Sequence, residues 1–245
     1  MEDRLYNDPD LVSFYEIENG WADDTRFCRD LGATARSVLD LGCGTGLLAT
    51  ALGEGRAVFG VDPAAAMLDI ARNRPGGGRV TWVEADARTA RLGRRFELVV
   101  LTGHVFQVFL APQDRAAVLE TIAAHLEPGG RFIFDSRNPL RRAWEKWTPE
   151  ASERILDHPT LGCVRSWNDV AYDEDTKIAT YTTHYQAIGG GPSLSAASRI
   201  AFPQQDEIAS AIADAGLAVE RWYGDWRGGP IGPVSPEIIP LGRLA

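Results

Sequence analysis

The residues best suited to do chemistry lie in and beside one glycine-rich segment in the first third of the chain. The stretch SVLDLGCGTGLLA places Gly42, Gly44 and Gly46 directly after a short apolar run, and Asp40 stands just before them. Glycine lets a ligand approach the backbone closely, because no Cβ obstructs it. Such loops commonly bind phosphate, yet a neighbouring carboxylate repels phosphate and attracts a cation by about 1 to 4 kcal/mol. The segment therefore predicts a ligand that carries a positive charge.

Two further acids follow the next two predicted strands. Asp62 ends the apolar run Ala57–Val61, at a distance after the loop that suits binding of ribose hydroxyls, and Asp86 follows the strand Arg79–Glu84, where it can accept from an exocyclic amine. A dinucleotide fingerprint would require glycine where Leu47 stands. Asp40 and Asp62 could instead be helix N-caps and Asp86 a solvated loop acid. Acids at three consecutive strand ends beside a glycine loop favour a binding site.

Alternating strands and helices must position these residues. Short apolar strands at Ser37–Leu41, Ala57–Val61, Arg79–Glu84, Phe96–Leu101 and Arg131–Phe134 alternate with helical segments such as Leu47–Leu52, Ala64–Arg72 and Asp114–Leu126. This order predicts an α/β fold, a Rossmann-like doubly wound sheet that is mostly parallel. Right-handed crossovers then place ligands at the carboxyl ends of the strands.

The pattern changes after Pro139. The segment Ile178–Ile188 is rich in Thr and Tyr at a period of two, and Ser195–Phe202 predicts another strand, so a small antiparallel β insertion follows the fifth strand. Alternation resumes with a helix at Gln205–Ala215 and strands at Ala218–Tyr223 and Glu237–Leu241. We therefore predict a core formed by residues 1–139 and 203–245, with residues 140–202 inserted as a lid on the substrate side.

Composition restricts the partners. The 245 residues carry a net charge of −9, which argues against nucleic acid as a partner. No apolar run is long enough to span a bilayer. The acidic start MEDRLYNDPD does not resemble a signal peptide, and the three cysteines form no C-x-x-C pair. These features predict a cytoplasmic protein without a cysteine zinc site, either a monomer or a homodimer.

Four segments together resemble the class I S-adenosylmethionine-dependent methyltransferases: VLDLGCGTG, GVDPAAAMLDIAR, VEADA and LEPGGRFIF. The resemblance covers most of Ser37–Asp135, together with the closing helix and strands after Phe202. It implies a seven-stranded sheet whose last strand is antiparallel. It also implies S-adenosylmethionine as the cofactor, S-adenosylhomocysteine as its product and no metal.

The resemblance assigns roles to the matching positions. The glycine loop, including Cys43, would line the methionine part of the cofactor, with Asp40 near its amino group and Asp62 on the ribose. The remaining cofactor-side positions are Pro63 and Met67 near the adenosine, Asp86 and Ala87 at the adenine, and Thr102 and Gly103 between cofactor and substrate. At helical spacing with Ile70, Met67 is equally explained as a core residue.

Methyl transfer is an in-line displacement on a sulfonium carbon with a neutral leaving group, so alignment and desolvation supply much of the rate. When the nucleophile is a hydroxyl or an ammonium, a base helps. His104, directly after Thr102 and Gly103, is the first candidate, and His184 in the insertion is the second. Each histidine has a structural alternative, as a packed residue or on an exposed strand face.

Aromatic residues predict the substrate side. Tyr15, assisted by Tyr6, would cover the cofactor from an N-terminal lid, or belong to a helix packed on the core. Phe106, Trp144 and Trp226 would line an acceptor pocket, whereas the alternative places the tryptophans in the core of the lid.

The combined prediction is a methyltransferase that acts on an N or O atom of a small-molecule acceptor. DNA amino-methylating enzymes resemble one another in a motif after the fourth strand that LTGHVF does not match. A nicotinamide-dependent oxidoreductase and a non-catalytic S-adenosylmethionine-binding accessory protein remain alternatives. The sequence does not specify the acceptor.

Overall fold

The computed structural model describes residues 3–245, so the first two residues of the predicted core lie outside the described part. The chain begins with helices α1 (Arg4–Asn7), α2 (Pro9–Glu18) and α3 (Asp23–Leu31). The Asp8 side chain caps α2 by accepting from the Asp10 amide, and Pro9 occupies the first helical position. These helices precede the first strand and reach the site described below.

The predicted alternation of strands and helices is present. It comprises β1 (Ser37–Leu41), α4 (Leu47–Leu52), β2 (Ala57–Asp62), α5 (Ala65–Asn73), β3 (Val80–Glu84), β4 (Phe96–Leu101), α6 (Pro112–His125), β5 (Leu126–Phe134) and the two-residue β6 (Ser136–Arg137). Strand β1 is buried along its whole length, because helices cover both faces of the sheet at its centre.

The sheet closes with elements from the end of the chain. After the inserted segment come α8 (Gln205–Asp214), β11 (Leu217–Tyr223) and β12 (Glu237–Leu244). The strand order is β11-β12-β5-β4-β1-β2-β3, and β6 adds a short pairing to β12. Strands β1 to β5 pair in parallel, whereas β12 is antiparallel to both β5 and β11. The predicted Rossmann-like fold with an antiparallel last strand is confirmed.

Two strands are longer than predicted. The fifth strand, predicted at Arg131–Phe134, begins at Leu126 and shifts register against β4 between Phe96 and Leu98. The last strand, predicted at Glu237–Leu241, extends to Leu244. It contains Pro240, which is paired with Trp222 of β11 and lies between the residues that pair with β6 and those that pair with β5.

The inserted segment forms a separate antiparallel sheet of four strands. Short helical turns, including α7 (Pro149–Ser152), lead into β7 (Arg154–His158), β8 (Gly162–Asp173), β9 (Ile178–Ala187) and β10 (Ser193–Ala201), paired in the order β10-β9-β8-β7. The sequence predicted the last two strands but not β7 or the full length of β8. The division at residues 140 and 202, and a lid role, stay predictions.

The second sheet packs on the N-terminal helices. Phe14 of α2 stacks on Tyr185 of β9 with ring centroids 4.0 Å apart, in a cluster that also buries Leu11 and Val164. Burial of these apolar groups stabilises the contact. Helix α2 therefore lies between the inserted sheet and the main sheet. Within residues 3–245, no helix combines the length and apolar character needed to cross a membrane.

Candidate active site

The three positions of the loop require glycine for different structural reasons. All adopt positive φ, at +78° for Gly42, +51° for Gly44 and +75° for Gly46. A Cβ at Gly42 would lie 2.6 Å from a methyl of Val105, and one at Gly46 would overlap Trp82, so these two positions require glycine for internal packing. At Gly44 a Cβ would meet only Tyr15, at an ordinary van der Waals distance of 3.5 Å from the hydroxyl. The roles of the three glycines toward a cofactor stay predictions, and packing alone already explains Gly42 and Gly46.

Asp62 is held in place by backbone amides. Its two carboxylate oxygens accept from the amides of Gly44 at 2.8 Å and Ala64 at 2.9 Å. Each oxygen keeps a second lone pair for another donor. A fixed carboxylate beside the glycine loop has the donor–acceptor chemistry required to receive two vicinal hydroxyls, so it fits the ribose assignment.

Asp40 is buried within β1, with 2 % of its surface exposed. Burial, and after it the nearby carboxylate of Asp62, raise the pKa of Asp40 to about 7. Among the described residues, no cationic side chain acts on the pKa of Asp40 or of Asp62. A positively charged ligand would stabilise both carboxylates, which agrees with the cation predicted from the sequence.

Tyr15 of α2 extends over the glycine loop. Its pKa is raised by burial and then by the carboxylates of Asp62, Asp24 and Asp40, so the phenol stays protonated and can donate a hydrogen bond. The helix is fixed there because Thr45 donates to Glu16 at 2.5 Å. The structure therefore brings Tyr15 to the place expected of an N-terminal cover.

The adenine-side positions are less clearly supported. Both oxygens of Asp86 accept from the guanidinium of Arg88, which lowers the Asp86 pKa and occupies the carboxylate. Ala87 is buried and Pro63 is exposed. Met67 is buried against Val12 and Ala64, as the core alternative predicts. The roles of these four positions toward a cofactor stay predictions.

The loop after β4 places His104 in a second cluster. Thr102 and Gly103 lead into His104, whose left-handed backbone (φ 63°) is held by its amide donating to Asp135 Oδ1 at 2.9 Å. The ring Nε2 lies 3.1 Å from both carboxylate oxygens of Glu237 and 3.6 Å from Asp135 Oδ2. Because a non-glycine residue rarely adopts positive φ, this geometry marks a position fixed by its surroundings.

Sequence reasoning did not identify Asp135 and Glu237, although a signal was present. Asp135 directly follows β5 as Asp86 follows β3, and Glu237 begins the predicted last strand. Because β12 runs antiparallel, its first residue lies at the same sheet edge as the carboxyl ends of β4 and β5. The edge therefore carries acids from five strands.

Burial governs the protonation of this second cluster. It lowers the pKa of His104 to about 4, an effect that Asp135 opposes. It raises the pKa of Asp135, and it raises that of Glu237 to about 7 against the opposing charge of Arg137. The imidazole is therefore neutral near pH 7, and the carboxylates receive no charge compensation from it.

Asp24 of α3 connects the two clusters electrostatically. Its charge contributes to the raised pKa of Tyr15 beside the glycine loop and to the raised pKa values of Asp135 and Glu237 in the second cluster. The pKa of the Cys28 thiol is raised first by burial and then by Asp135, Asp24 and Asp40, which belong to both clusters. The two clusters thus belong to one acidic region along the carboxyl edge. Sequence reasoning also missed Asp24, since α3 was not predicted.

Several predicted substrate-side residues lie elsewhere. Phe106 is fully buried and stacks on Phe134, and Trp144 is 5 % exposed and stacks on Tyr172. Both belong to packed cores, so a substrate-lining role does not fit them. Trp226 packs edge-on against Phe27 at the rim of the main core.

His184 also departs from its candidate role. Its ring stacks on Trp167 and its Nε2 lies 2.8 Å from Asp169. Successive side chains of a strand point to opposite faces, and the adjacent Tyr185 faces α2. His184 therefore lies on the outer face of the inserted sheet, as the structural alternative predicted.

Comparison with known proteins agrees with this site. Residues 38–130 match the family described as "Methyltransferase domain". The cypemycin N-terminal methyltransferase of a Streptomyces species is 36% identical over 105 residues, covering 42% of this chain and 43% of that protein. The ubiquinone biosynthesis O-methyltransferase of Methylobacterium nodulans is 32% identical over 123 residues, covering 47% of each chain. The chain thus spans less than half the length of these curated relatives.

Solved structures extend the similarity of the fold to nearly the whole chain. The CcbJ methyltransferase from Streptomyces caelestis superposes with a TM-score of 0.77 at 22% identity, covering 94% of this chain and 95% of that one. The sugar N-methyltransferase KedS8 from Streptoalloteichus gives 0.76 at 20% identity, with 99% and 96% covered. The fold is that of Rossmann-like methyltransferases. The family match over residues 38–130, the curated relatives and the shared fold together support a class I S-adenosylmethionine-dependent methyltransferase domain.

Proposed function

We propose that the protein transfers a methyl group from S-adenosylmethionine to an N or O atom of a small-molecule acceptor. One observation carries the proposal: Asp40 and Asp62 lie buried beside the glycine loop, and no cationic side chain within residues 3–245 acts on the pKa of either carboxylate. This arrangement is complementary to a ligand that combines a positively charged group with ribose hydroxyls. Pyrophosphate, which a nicotinamide cofactor carries, would be repelled.

Different residues of the chain would have separate roles toward the cofactor and the acceptor. When bound, S-adenosylmethionine supplies an electrophilic methyl group on a sulfonium centre. Asp62 would accept from the ribose hydroxyls, Asp40 would face the amino group, and Tyr15 would limit the access of water from above. The loop from Thr102 to Val105 would meet the acceptor, since Val105 lies against Gly42 and the His104 amide donates to Asp135. Alignment and exclusion of water supply the rate advantage.

Related proteins support a small-molecule acceptor. By their names, the cypemycin enzyme methylates an N-terminus, the ubiquinone pathway enzyme an oxygen, and KedS8 a sugar nitrogen. These names include both N- and O-methylation, so they leave the acceptor atom open. The net charge of −9 favours neither nucleic acid nor another polyanion as acceptor.

Calorimetry with S-adenosylhomocysteine tests the cofactor assignment. We expect Asp62→Ala to weaken binding by about 1 to 3 kcal/mol, because charge-assisted hydrogen bonds are lost. Asp69→Ala removes an exposed aspartate of α5 that pairs only with Arg72, and should leave affinity unchanged. Unchanged affinity in folded Asp62→Ala, or binding of NAD(H) in place of S-adenosylhomocysteine, would contradict the proposal.

Turnover separates an enzyme from an accessory protein that only binds the cofactor. Incubation with methyl-labelled S-adenosylmethionine and a metabolite extract should yield a labelled small molecule, and Asp62→Ala should reduce its formation. Cofactor binding with no labelled product from any extract would favour the non-catalytic alternative.

A further inference from the structure

The second cluster contains the carboxyl groups of Asp135 and Glu237, and its one basic side chain, His104, cannot neutralise both. His104, Asp135 and Glu237 each direct one ligand-type atom to a common region, where these atoms lie within 4.8 Å of one another. The imidazole is partly buried and neutral, and Asp24 adds a further carboxylate from α3. A cation is the natural occupant of such a region, because burial of unpaired negative charge is costly.

An unpartnered atom supports an occupant independently. Asp135 is 1 % exposed, and its Oδ2 has no hydrogen-bond partner, although Oδ1 accepts from the His104 amide. Buried polar atoms are nearly always paired, so an orphaned oxygen calls for an explanation. The free oxygen lies 3.6 Å from His104 Nε2, on the side shared with Glu237. A ligand that donates hydrogen bonds would satisfy it.

The nearest protein cation does not fill this position. Arg137 influences the pKa of Glu237 and of His104, but its guanidinium donates to Gln107 at 3.1 Å and lies over the Trp147 ring. It forms no ion pair with Glu237 or Asp135. The cluster therefore keeps acceptor capacity toward a compact donor.

We propose that His104, Asp135 and Glu237 form the acceptor subsite and that the acceptor is a primary or secondary amine, bound as its ammonium ion. This inference rests on the proposed function and specifies its substrate class. An ammonium group presents two or three N–H donors, which match the Asp135 Oδ2 and the Glu237 carboxylate. A hydroxyl acceptor would have to lose its proton to attack as an alkoxide, and the surrounding carboxylates would oppose that negative charge.

The proton and electron pairs can be followed through the step. One N–H proton passes from the ammonium nitrogen to the Glu237 carboxylate, which frees the nitrogen lone pair. The nitrogen then forms its bond to the methyl carbon while the carbon–sulfur bond breaks and its electron pair stays on sulfur. The product is a methylated ammonium ion, and Glu237 afterwards releases its proton to water. His104, neutral and hydrogen-bonded to Glu237, positions that carboxylate.

Binding of a simple ammonium ion tests the subsite without turnover. The full-length protein, saturated with S-adenosylhomocysteine and labelled in its four histidines, is titrated with cyclohexylamine or with cyclohexanol while imidazole resonances are followed by NMR. His104→Gln assigns the resonance. We expect the amine to shift the His104 resonance and the alcohol to leave it in place.

Isosteric variants locate the contact. Glu237→Gln and Asp135→Asn should each weaken cyclohexylammonium binding at least about tenfold, because a charge-assisted hydrogen bond is lost. Glu220→Gln, on the neighbouring strand and paired with Arg243, is the matched control and should change it less than twofold. All three variants should retain S-adenosylhomocysteine affinity, which also confirms that they fold.

The possible failures are distinguishable. Absence of S-adenosylhomocysteine binding would reject the proposed function itself. Cofactor binding with equal responses to amine and alcohol would overturn the amine subsite while leaving the methyltransferase proposal intact. Tight Mn²⁺ binding in paramagnetic resonance, lost in Glu237→Gln and displacing the amine, would also overturn it in favour of a metal site.

Discussion

The two halves of the carboxyl edge are built differently. On the proposed cofactor side, Asp40, the glycine loop and Asp62 lie within 23 consecutive positions, and backbone amides hold the carboxylate of Asp62. On the proposed acceptor side, His104, Asp135 and Glu237 come from three distant segments and hold one another in place. The first half depends on local chain geometry and the second on the packing of β4, β5 and β12.

This difference has consequences for mutation. A site fixed by backbone amides tolerates loss of a side chain elsewhere, since the chain itself holds the geometry. A site formed by mutual side-chain contacts depends on the core beneath each loop. The cofactor half is therefore expected to be robust, and the acceptor half sensitive to distant changes in packing.

The largest expected effect tests the support of the acceptor half. Phe106→Ala should lower the free energy of unfolding by about 3 to 5 kcal/mol, because a fully buried ring stacked on Phe134 is removed. Urea unfolding measures this loss. If the variant kept wild-type stability but bound the acceptor poorly, Phe106 would have a role on the substrate side.

The glycine loop offers an internal contrast. Gly46→Ala should cost about 2 to 4 kcal/mol of stability, because the added methyl overlaps Trp82 at a positive φ. Gly44→Ala meets only Tyr15, at an ordinary van der Waals distance, so it should cost about 1 kcal/mol of stability and chiefly weaken S-adenosylhomocysteine binding. Thermal unfolding and calorimetry separate the two effects. Equal destabilisation by both would show that Gly44 also serves internal packing.

The pH dependence of cofactor binding probes Asp40. Its pKa of about 7 lies above the usual value, so the carboxylate is protonated below pH 7 and ionised above it. A cationic ligand favours the ionised form, so S-adenosylhomocysteine affinity should rise about tenfold from pH 6 to pH 8. Asp40→Asn should bind more weakly and show a flatter profile. An unchanged slope in that variant would assign the titration to another group.

The smallest expected effect concerns the outer face of the inserted sheet. His184→Ala removes a partly exposed pair with Asp169, so stability should change by less than about 0.5 kcal/mol, with turnover unaffected. Kinetics with the identified acceptor provides the measurement. A tenfold loss of turnover would indicate that the outer face of the inserted sheet contributes to the active site.

The sequence located the glycine loop and the acids beside it because the signals for them are local. The glycine spacing, the acids after short apolar strands and the β-α alternation each lie within a few residues of one another. It predicted His104 as a candidate but not its partners, because Asp135 and Glu237 lie 31 and 133 positions away. It predicted Phe106 in the acceptor pocket, which is wrong, and it left Trp144 between the pocket and a core. An aromatic residue after a strand fits a pocket and a core equally well.

By itself the sequence determined the parallel sheet, the edge at which ligands bind and the positive charge expected of the first ligand. These follow from periodicity and from acids placed beside glycines, which act over short distances along the chain. Only the tertiary structure decided that Glu237 reaches His104, because an antiparallel last strand returns its first residue to the carboxyl edge. It also decided that Gly42 and Gly46 serve packing, since Val105 and Trp82 come from other strands and loops.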